Sequence, residues 1–235
     1  MTKPDYTAMA AEIVSRQKHA PEPEPARCVH HEDTQLDHRG VCPACERRSD
    51  EIALRYRRED LDRQISDRFP LRYRHAVADH PEVLEWARQF AEDPKSAPSL
   101  LLLGPTGVGK THQAYGALRA ALHGNPTTWK ATTTADMLAE LRPRTGEDTE
   151  AVMRQHRSVW LLLIDDFGVA KNSEWVEEVI YRVINGRYEQ MRPTVFTTNL
   201  AIPQLRDLIG DRIASRLAEI CTRVVLEGVD RRRQR

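Results

Sequence analysis

The sequence lacks a long hydrophobic run. No apolar stretch approaches the roughly 18 to 20 residues that a membrane-spanning helix needs. The N-terminal segment MTKPDYTAMAAEIVSRQKHA also lacks the apolar stretch of a secretory signal. These absences argue against a membrane-spanning protein and predict a cytoplasmic location.

The sequence also lacks a net charge, because 35 basic residues balance 35 acidic residues. A global electrostatic basis for nucleic-acid binding is therefore excluded, and any such basis must be local. Arginines do cluster at residues 47–74 and in the final RRRQR at residues 231–235. Acidic residues are interspersed in the first cluster, so a solvated helix with internal ion pairs explains it equally well.

Prolines and a change in texture suggest two parts. A short amphipathic helix is expected at residues 5–18, and APEPEPA at residues 20–26 predicts a stiff linker because proline restricts its own backbone and that of its predecessor. A Cys/His-rich patch and a polar helix at about residues 46–68 follow. We therefore predict an N-terminal module at residues 1–68 and a second domain at residues 69–235. No internal repeat is present.

The second domain alternates short apolar runs with helical patterns. Continuous apolar strands indicate a parallel sheet that is covered by helices on both faces, so the predicted class is doubly wound α/β. The expected strands are Leu100–Leu103, Thr127–Ala131, Val159–Ile164, Thr194–Thr198 and Val224–Leu226. The expected helices are Glu82–Ala91, Thr111–His123, Ala135–Leu141, Ser173–Met191 and Ile202–Leu217.

A phosphate-binding loop follows the first of these strands. The pattern Gly-x4-Gly-Lys-Thr lets backbone N–H groups converge on phosphate oxygens at the start of a helix, and here it lies between a strand and a helix, as it should. Its lysine is expected to reach the β and γ phosphates, and its threonine to ligate Mg²⁺. The residues are Gly104, Pro105, Thr106, Gly107, Val108, Gly109, Lys110 and Thr111, followed by His112.

Polar residues end two later strands. Asp165 ends an apolar strand and is the expected Mg²⁺ ligand beside Thr111, while Asp166 is suited to orienting or deprotonating the attacking water. Two adjacent acids could instead cap a turn. Asn199 follows the strand TVFTT and is a candidate γ-phosphate sensor, although such a residue can also simply begin a loop.

A Cys/His cluster has the spacing of a structural zinc site. Cys28 and His31 form one pair, and Cys42 and Cys45 form the other. Four protein ligands leave no open coordination position, so Zn²⁺ is expected to stabilise a small module rather than to catalyse a reaction. His30 or His38 could replace His31, and unliganded thiols are the alternative. Cys221 stands alone and is expected in the core.

Taken together, these motifs resemble the AAA+ ATPases of the DnaC/DnaI/IstB helicase-loader type. The segments that carry the resemblance are LLLGPTGVGKTHQA, LLLIDDFG, INGRYEQMRPTVFTTNL and LIGDRIASRLAEI. It implies a P-loop AAA+ domain, ATP with Mg²⁺ and action as an oligomer. It also implies an arginine that reaches the ATP site of a neighbouring subunit, for which Arg216 matches best and Arg212 is the alternative. We expect no small helical lid after Gly228, and hence no sensor arginine from one.

The resemblance implies a function as well. We expect an ATPase that loads a replicative DnaB-type helicase onto DNA, with single-stranded DNA as a further partner and the zinc module contacting the helicase. One alternative is an IstB-like transposition helper that acts on duplex DNA. Another is a nucleotide-switched binding module with little turnover, which Asp166 in place of the more frequent glutamate would suit.

Overall fold

The computed structural model describes residues 27–146, 148–168 and 173–230. The expected helix at residues 5–18, the proline-rich linker and the C-terminal arginines lie outside the described residues. The chain divides into two compact units between Arg57 and Arg58, within the helix α1 (Pro43–Ser66). The boundary that we predict between residues 68 and 69 stays a prediction. No helix among the described residues is long and apolar enough to cross a membrane.

The N-terminal unit contains a small hairpin that the sequence did not lead us to expect. Strands β1 (Arg27–Cys28) and β2 (His31–Gln35) pair antiparallel and precede α1. The carboxylate of Asp37 closes the next turn by accepting the backbone N–H groups of Arg39 and Val41, each at 2.9 Å. The bond from Val41 is the main reason that the pKa of Asp37 lies below its ordinary value. The turn therefore leads the chain into α1 with its backbone donors satisfied.

The C-terminal unit is built on a five-stranded parallel sheet in the order β4-β5-β6-β3-β7. Every strand lies near an expected one, but three of them begin two or three residues from the expected start, because apolar content alone does not mark where strand pairing begins. The strands are β3 (Ser99–Leu103), β4 (Trp129–Thr133), β5 (Leu161–Asp165), β6 (Thr194–Thr198) and β7 (Cys221–Val225).

Helices flank the sheet, and alternating residues of β3 show how both faces are buried. Leu100 and Leu102 belong to one apolar cluster, whereas Leu101 and Leu103 belong to the other. The predicted parallel sheet between helices is therefore confirmed. The helices are α2 (Pro81–Glu92), α3 (Lys110–Gly124), α4 (Thr134–Glu140), α5 (Thr149–Ser158), α6 (Glu174–Glu189) and α7 (Ile202–Ile220).

Two helical features differ from the expectation. Helix α5 has no counterpart in the sequence analysis, because it is mostly polar and buries only Met153 and His156. The side chain of Asp148 caps its start by accepting the N–H of Ala151 at 2.9 Å. Helix α7 is kinked at Gly210, where φ is 77° and ψ is 157°. A backbone with positive φ favours glycine, so this residue permits the change of helix direction.

A buried arginine links the starts of strands β5 and β6. Arg187 in α6 is 1% exposed, and its guanidinium donates to the carbonyls of Val159 (2.8 Å), Trp160 (3.1 Å) and Pro193 (2.6 Å). These carbonyls directly precede β5 and β6. The same group reaches the hydroxyl of Thr194 at 2.7 Å. Burial lowers the pKa of Arg187 to about 9. The residue therefore links the two strands at their N-terminal ends.

Candidate nucleotide site and metal centre

The phosphate loop occupies the junction between β3 and α3. Gly104, Gly107 and Gly109 have φ values of 146°, 88° and 102°, which side chains with a Cβ rarely adopt. A Cβ at Gly104 would also overlap the backbone carbonyl of Leu226. These glycines therefore allow the tight loop, and α3 begins immediately after it at Lys110. The loop places backbone N–H groups and the N-terminus of α3 together, as an anion site requires.

Lys110 is 5% exposed, and its ammonium group lies over the loop. It donates to the carbonyls of Gly104 and Pro105, each at 2.8 Å. It also donates to the Oδ1 atom of Asn199 at 2.5 Å. Because β6 is the neighbour of β3 in the sheet, Asn199 reaches the loop from the adjacent strand end. The fold thus brings the lysine and the proposed sensor residue into contact, although they are far apart in the sequence.

Asp165 is linked to two hydroxyl groups. Its Oδ1 atom accepts from Thr111 at 3.0 Å and from Thr197 at 2.5 Å. The residue is 8% exposed, and burial raises its pKa above the ordinary value, while the bond from Thr197 acts in the opposite direction. The structure therefore brings together Thr111 and Asp165, the two expected Mg²⁺ ligands. Thr197, which holds the carboxylate in place, was missed by the sequence analysis as a member of the site.

Asp166 diverges from Asp165 and is exposed. Its φ of 52° is unusual for a residue with a side chain. The conformation is fixed by two bonds to one residue of β6: the N–H of Asp166 donates to the hydroxyl of Thr197 at 2.9 Å, and the N–H of Phe167 donates to its carbonyl at 2.6 Å. Asp166 lines the same cavity as the phosphate loop.

The loop opens into a cavity of about 610 Å³. Most of its lining was expected, but Arg72 and Tyr73 were not, because they lie more than thirty residues before the loop in the sequence. The ring of Tyr73 stacks on the buried ring of Tyr115 in α3, with centroids 5.0 Å apart and an interplanar angle of 9°. The cavity is lined by Arg72, Tyr73, Thr106, Gly107, Gly109, Lys110, Thr111, His112, Asp166 and Asn199.

The segment after Tyr73 is fastened to α3. The N–H of Val77 donates to the Nε2 atom of His112 at 3.4 Å, and the N–H of Asp79 donates to the Oε1 atom of Gln113 at 3.1 Å. A Cβ at Gly116 would overlap the backbone of Val77 and the following residue. His112 therefore has a structural contact besides its place in the cavity wall.

The chain after β7 returns to the phosphate loop. The N–H of Leu226 donates to the carbonyl of Leu103 at 2.7 Å. Four residues later, the carboxylate of Asp230 lies where a Cβ on Gly107 would overlap it. A negative charge is thus placed against a loop whose geometry suits phosphate. This contact could not be predicted from the sequence, because nothing in the local pattern around Asp230 points to the loop.

The two arginines of GDRIASRL lie in different surroundings. Arg212 is exposed and lines a groove together with glutamates of α6. Arg216 is partly buried, and its guanidinium lies over the rings of Tyr181 and Tyr188. Both arginines belong to α7, beyond the kink at Gly210.

The four predicted zinc ligands converge in the N-terminal unit. The ligand atoms of Cys28, His31, Cys42 and Cys45 all lie within 4.8 Å of one another. The Nδ1 atom of His31 lies 3.8, 3.7 and 3.4 Å from the sulfurs of Cys28, Cys42 and Cys45. Tetrahedral Zn²⁺ with bonds of about 2.0 to 2.3 Å separates its ligand atoms by about 3.3 to 3.8 Å, so these three distances fit the ion.

The other two histidines near the cluster are arranged differently. His30 and His38 are exposed. His30 contributes its backbone N–H, which lies 3.4 Å from the sulfur of Cys28. That contact is the main reason that the pKa of Cys28 falls to about 6. Cys221, by contrast, is partly buried at the start of β7 and packs against the apolar cluster around Leu101.

Comparison with known proteins connects this geometry to a family. The family described as IstB-like ATP binding protein matches residues 84–234, which is more than half of the chain. The chain belongs to this family. The IstB-like match contains the phosphate loop, Asp165, Asn199 and Arg216, and it begins after the Cys/His cluster.

Individual proteins give the same picture of the fold. The replicative helicase loader DnaC of Escherichia coli (strain K12) is 26% identical over 149 residues, which are 62% of this chain and 60% of DnaC. The crystal structure of a DnaC helicase loader superposes with a TM-score of 0.60 and 24% identity, covering 67% of this chain and 100% of that chain. The crystal structure of DnaI gives a TM-score of 0.60 and 19% identity, covering 68% of this chain and 95% of that chain.

These comparisons confirm the P-loop AAA+ fold. The chain spans about 60% of the length of the curated relatives that it matches first. The IstB-like domain is thus an ATP-binding AAA+ module that is shared with helicase loaders.

Proposed function

We propose that this protein is an ATP-dependent loader of a replicative DnaB-type helicase. The observation that carries the proposal is the convergence of the phosphate loop, Asp165 and Asn199 at one edge of the sheet. It occurs in a domain that is 26% identical to a helicase loader over 149 residues. In this proposal ATP binding and hydrolysis regulate how the protein engages the helicase and single-stranded DNA.

The proposed ATP site assigns a role to each polar residue. The loop residues Gly104–Thr111 and the adjacent His112 surround the nucleotide, and the ammonium of Lys110 neutralises phosphate charge. Asn199, which already contacts Lys110 at 2.5 Å, senses the γ-phosphate. Asp166 orients the attacking water or accepts its proton, because it is exposed in the cavity and its backbone is fixed by Thr197.

Thr111 and Asp165 are the proposed Mg²⁺ ligands. Their side-chain oxygens lie 3.0 Å apart, and oxygen donors are the ligands that Mg²⁺ prefers. The bound ion would neutralise charge that develops on the phosphates. Thr197 keeps the carboxylate of Asp165 oriented through its 2.5 Å hydrogen bond.

Hydrolysis is proposed to require a neighbouring copy of the chain. Arg216 supplies positive charge to the ATP site of the next subunit, and Arg212 is the alternative. An arginine supplied in this way stabilises charge in the transition state of phosphoryl transfer. Self-association through the AAA+ domains therefore controls turnover.

The N-terminal module, residues 1–68, is proposed to bind the helicase, while residues 69–235 form the ATPase domain. Cys28, His31, Cys42 and Cys45 hold a structural Zn²⁺ that stabilises this small unit. The ligand distances support the metal assignment. The assignment of the helicase as the partner rests on likeness to helicase loaders.

A second function is favoured by one specific observation: the matching family is described as IstB-like. The protein would then be a transposition helper that assembles on duplex DNA. Capture assays with purified hexameric helicase and with a transposase separate the two functions. Retention of the helicase supports the loader, and retention of only the transposase would reject it.

The ATPase proposal is tested by measuring Mg²⁺-dependent ATP hydrolysis with and without single-stranded DNA. Lys110→Ala should abolish ATP-dependent helicase loading, because it removes the cation that faces the phosphates. Exposed Lys95, which lies outside the cavity, provides the matched control Lys95→Ala. Normal loading by Lys110→Ala would reject the site. Nucleotide binding with negligible turnover in the assembled wild-type protein would instead indicate a nucleotide-switched binding module.

A further inference from the structure

Two tyrosines of α6 hold the side chain of Arg216. The guanidinium carbon of Arg216 lies 5.4 Å from the ring centroid of Tyr181 and 5.3 Å from that of Tyr188. Both distances fall within the roughly 6 Å range of cation–π attraction. The tyrosines are separated by two helical turns, so they project from the same face of α6 towards α7.

One of these rings is itself anchored to α7. The hydroxyl of Tyr188 donates to both carboxylate oxygens of Glu219, at 3.1 and 3.0 Å. This contact is the main cause of the raised pKa of Tyr188. Glu219 lies one turn after Arg216 in α7. The ring of Tyr188 is therefore hydrogen-bonded to the helix that carries the guanidinium. The orientation of the ring is therefore set relative to the arginine that it contacts.

The contact leaves a hydrogen-bond donor unused. The Nη1 atom of Arg216 is buried and has no hydrogen-bond partner among the described residues. Stacking on aromatic rings orients the plane of a guanidinium without consuming its N–H groups. Arg212 differs, because it is exposed and makes no cation–π contact with either ring in the described part of the chain. The two rings therefore hold the guanidinium of Arg216 in one orientation without taking up its N–H groups in hydrogen bonds.

We propose that Tyr181 and Tyr188 are positioning residues that pre-orient Arg216 for the ATP site of a neighbouring subunit. The inference rests on the proposed role of Arg216. It adds that the efficiency of this arginine depends on an aromatic cradle in its own subunit. Tyr181, Tyr188 and Glu219 form this cradle.

Subunit mixing tests the cradle. In the double variant Tyr181→Leu/Tyr188→Leu, we expect ATP turnover of the assembled protein to fall about tenfold or more, because misplacing a catalytic group is costly. ATP affinity should remain that of the wild type. Tyr188→Phe retains the ring and loses only the bond to Glu219, so its turnover should stay within about threefold of the wild type.

The mixing partners distinguish positioning from a general structural role. Lys110→Ala subunits lack a working ATP site but carry an intact Arg216, so adding them should restore turnover to the double variant. Adding Arg216→Ala subunits should not restore it, because neither partner then supplies a well-oriented arginine. The single variant Tyr188→Leu is measured in parallel, in case the double variant fails to fold.

A control mixture separates the two levels of the hypothesis. Lys110→Ala and Arg216→Ala subunits, each inactive alone, should regain turnover when combined. If they do not, the proposed role of Arg216 in a neighbouring site fails, and the cradle fails with it. If this control mixture does regain turnover, the role of Arg216 stands and the double variant decides on the cradle. The cradle alone is overturned if the double variant hydrolyses ATP normally, or if Lys110→Ala subunits do not restore its turnover.

Discussion

The ammonium of Lys110 lies 2.5 Å from the Oδ1 atom of Asn199, although the two residues are 89 positions apart in the chain. The contact joins the phosphate loop to the end of β6. A phosphate placed at the loop would therefore contact a lysine whose position already depends on Asn199.

Asn199→Ala is expected to lower ATP turnover by roughly 10- to 100-fold, because it removes a polar group that faces the reacting phosphate. ATP affinity should change by less than about fivefold, since the loop and Lys110 remain. Turnover and nucleotide binding are measured on the same preparation. The control is Asn185→Ala, which removes an amide that contacts Glu189 in α6. Equal losses of turnover in both variants would contradict the prediction.

Removal of zinc should affect the N-terminal unit selectively. Cys42→Ser is expected to abolish stoichiometric Zn²⁺ binding, because it removes one of four converging ligands. Proteolysis in residues 27–57 should then accelerate, while ATP affinity persists, because the residues of the nucleotide cavity all lie beyond residue 70. Cys221→Ser is the matched control and should retain the metal. Full zinc content in Cys42→Ser, measured by elemental analysis, would overturn the ligand assignment.

Local patterns predicted the parts of the site that lie within one segment. The phosphate loop and the acidic end of β5 were readable because their residue spacing is itself the chemical requirement. Thr197 was expected only as part of a strand end, and its bond to Asp165 depends on β5 and β6 being neighbours. Tyr73 could not be assigned to the cavity, because its place depends on stacking with Tyr115 in α3.

The fold was likewise predicted only where a local sequence pattern carries the information. Alternation of strand-like and helical patterns predicted all five strands of the sheet, and the signal is strongest in β3 and β5, whose burial on both faces demands continuous apolar residues. Helix α5 was not predicted, because its contribution to the core is small. The hairpin of β1 and β2 was not predicted because its seven residues carry no apolar pattern and lie beside the Cys/His cluster.

Asp230→Asn is expected to tighten ATP binding about fivefold. The carboxylate lies against Gly107 in the phosphate loop, and one unit charge about 4 Å away in a water-like surrounding contributes on the order of 1 kcal/mol to repulsion of phosphate. The effect should shrink as salt is raised, because screening weakens the repulsion. The control is Glu227→Gln, which neutralises an exposed carboxylate three residues earlier. Unchanged or weaker ATP binding in Asp230→Asn at low salt would count against this contact as a barrier to phosphate.

His156 should make stability sensitive to mild acid. It is fully buried, and burial, assisted by the charge of Lys130, lowers its pKa below 6.5. The neutral form is therefore favoured by folding, and its contribution is complete above pH 6.5 and declines as the pH falls below that value. Relative to His156→Gln, the wild-type free energy of unfolding should fall between pH 6.5 and 5, by at most about 1.4 kcal/mol per pH unit.

Denaturant unfolding at several pH values measures this difference. Glu140, the acidic partner of His156 at 3.0 Å, has a lowered pKa and remains ionised in this window, so its own titration does not interfere. The control is His75→Gln, the same substitution at an exposed histidine, measured in parallel. A constant difference between wild type and His156→Gln would show that the histidine does not titrate as expected.

Arg187→Lys should destabilise the fold although the charge is retained. The guanidinium satisfies carbonyls that precede both β5 and β6, and a single ammonium cannot reach them all. Leaving several buried carbonyls unpaired costs about 3 to 5 kcal/mol, measured as the free energy of unfolding. The exposed pair of Arg182 and Glu150 provides the control, since Arg182→Lys should cost less than about 1 kcal/mol. If both lysine variants unfold at the same denaturant concentration, Arg187 does not hold the two strands as inferred.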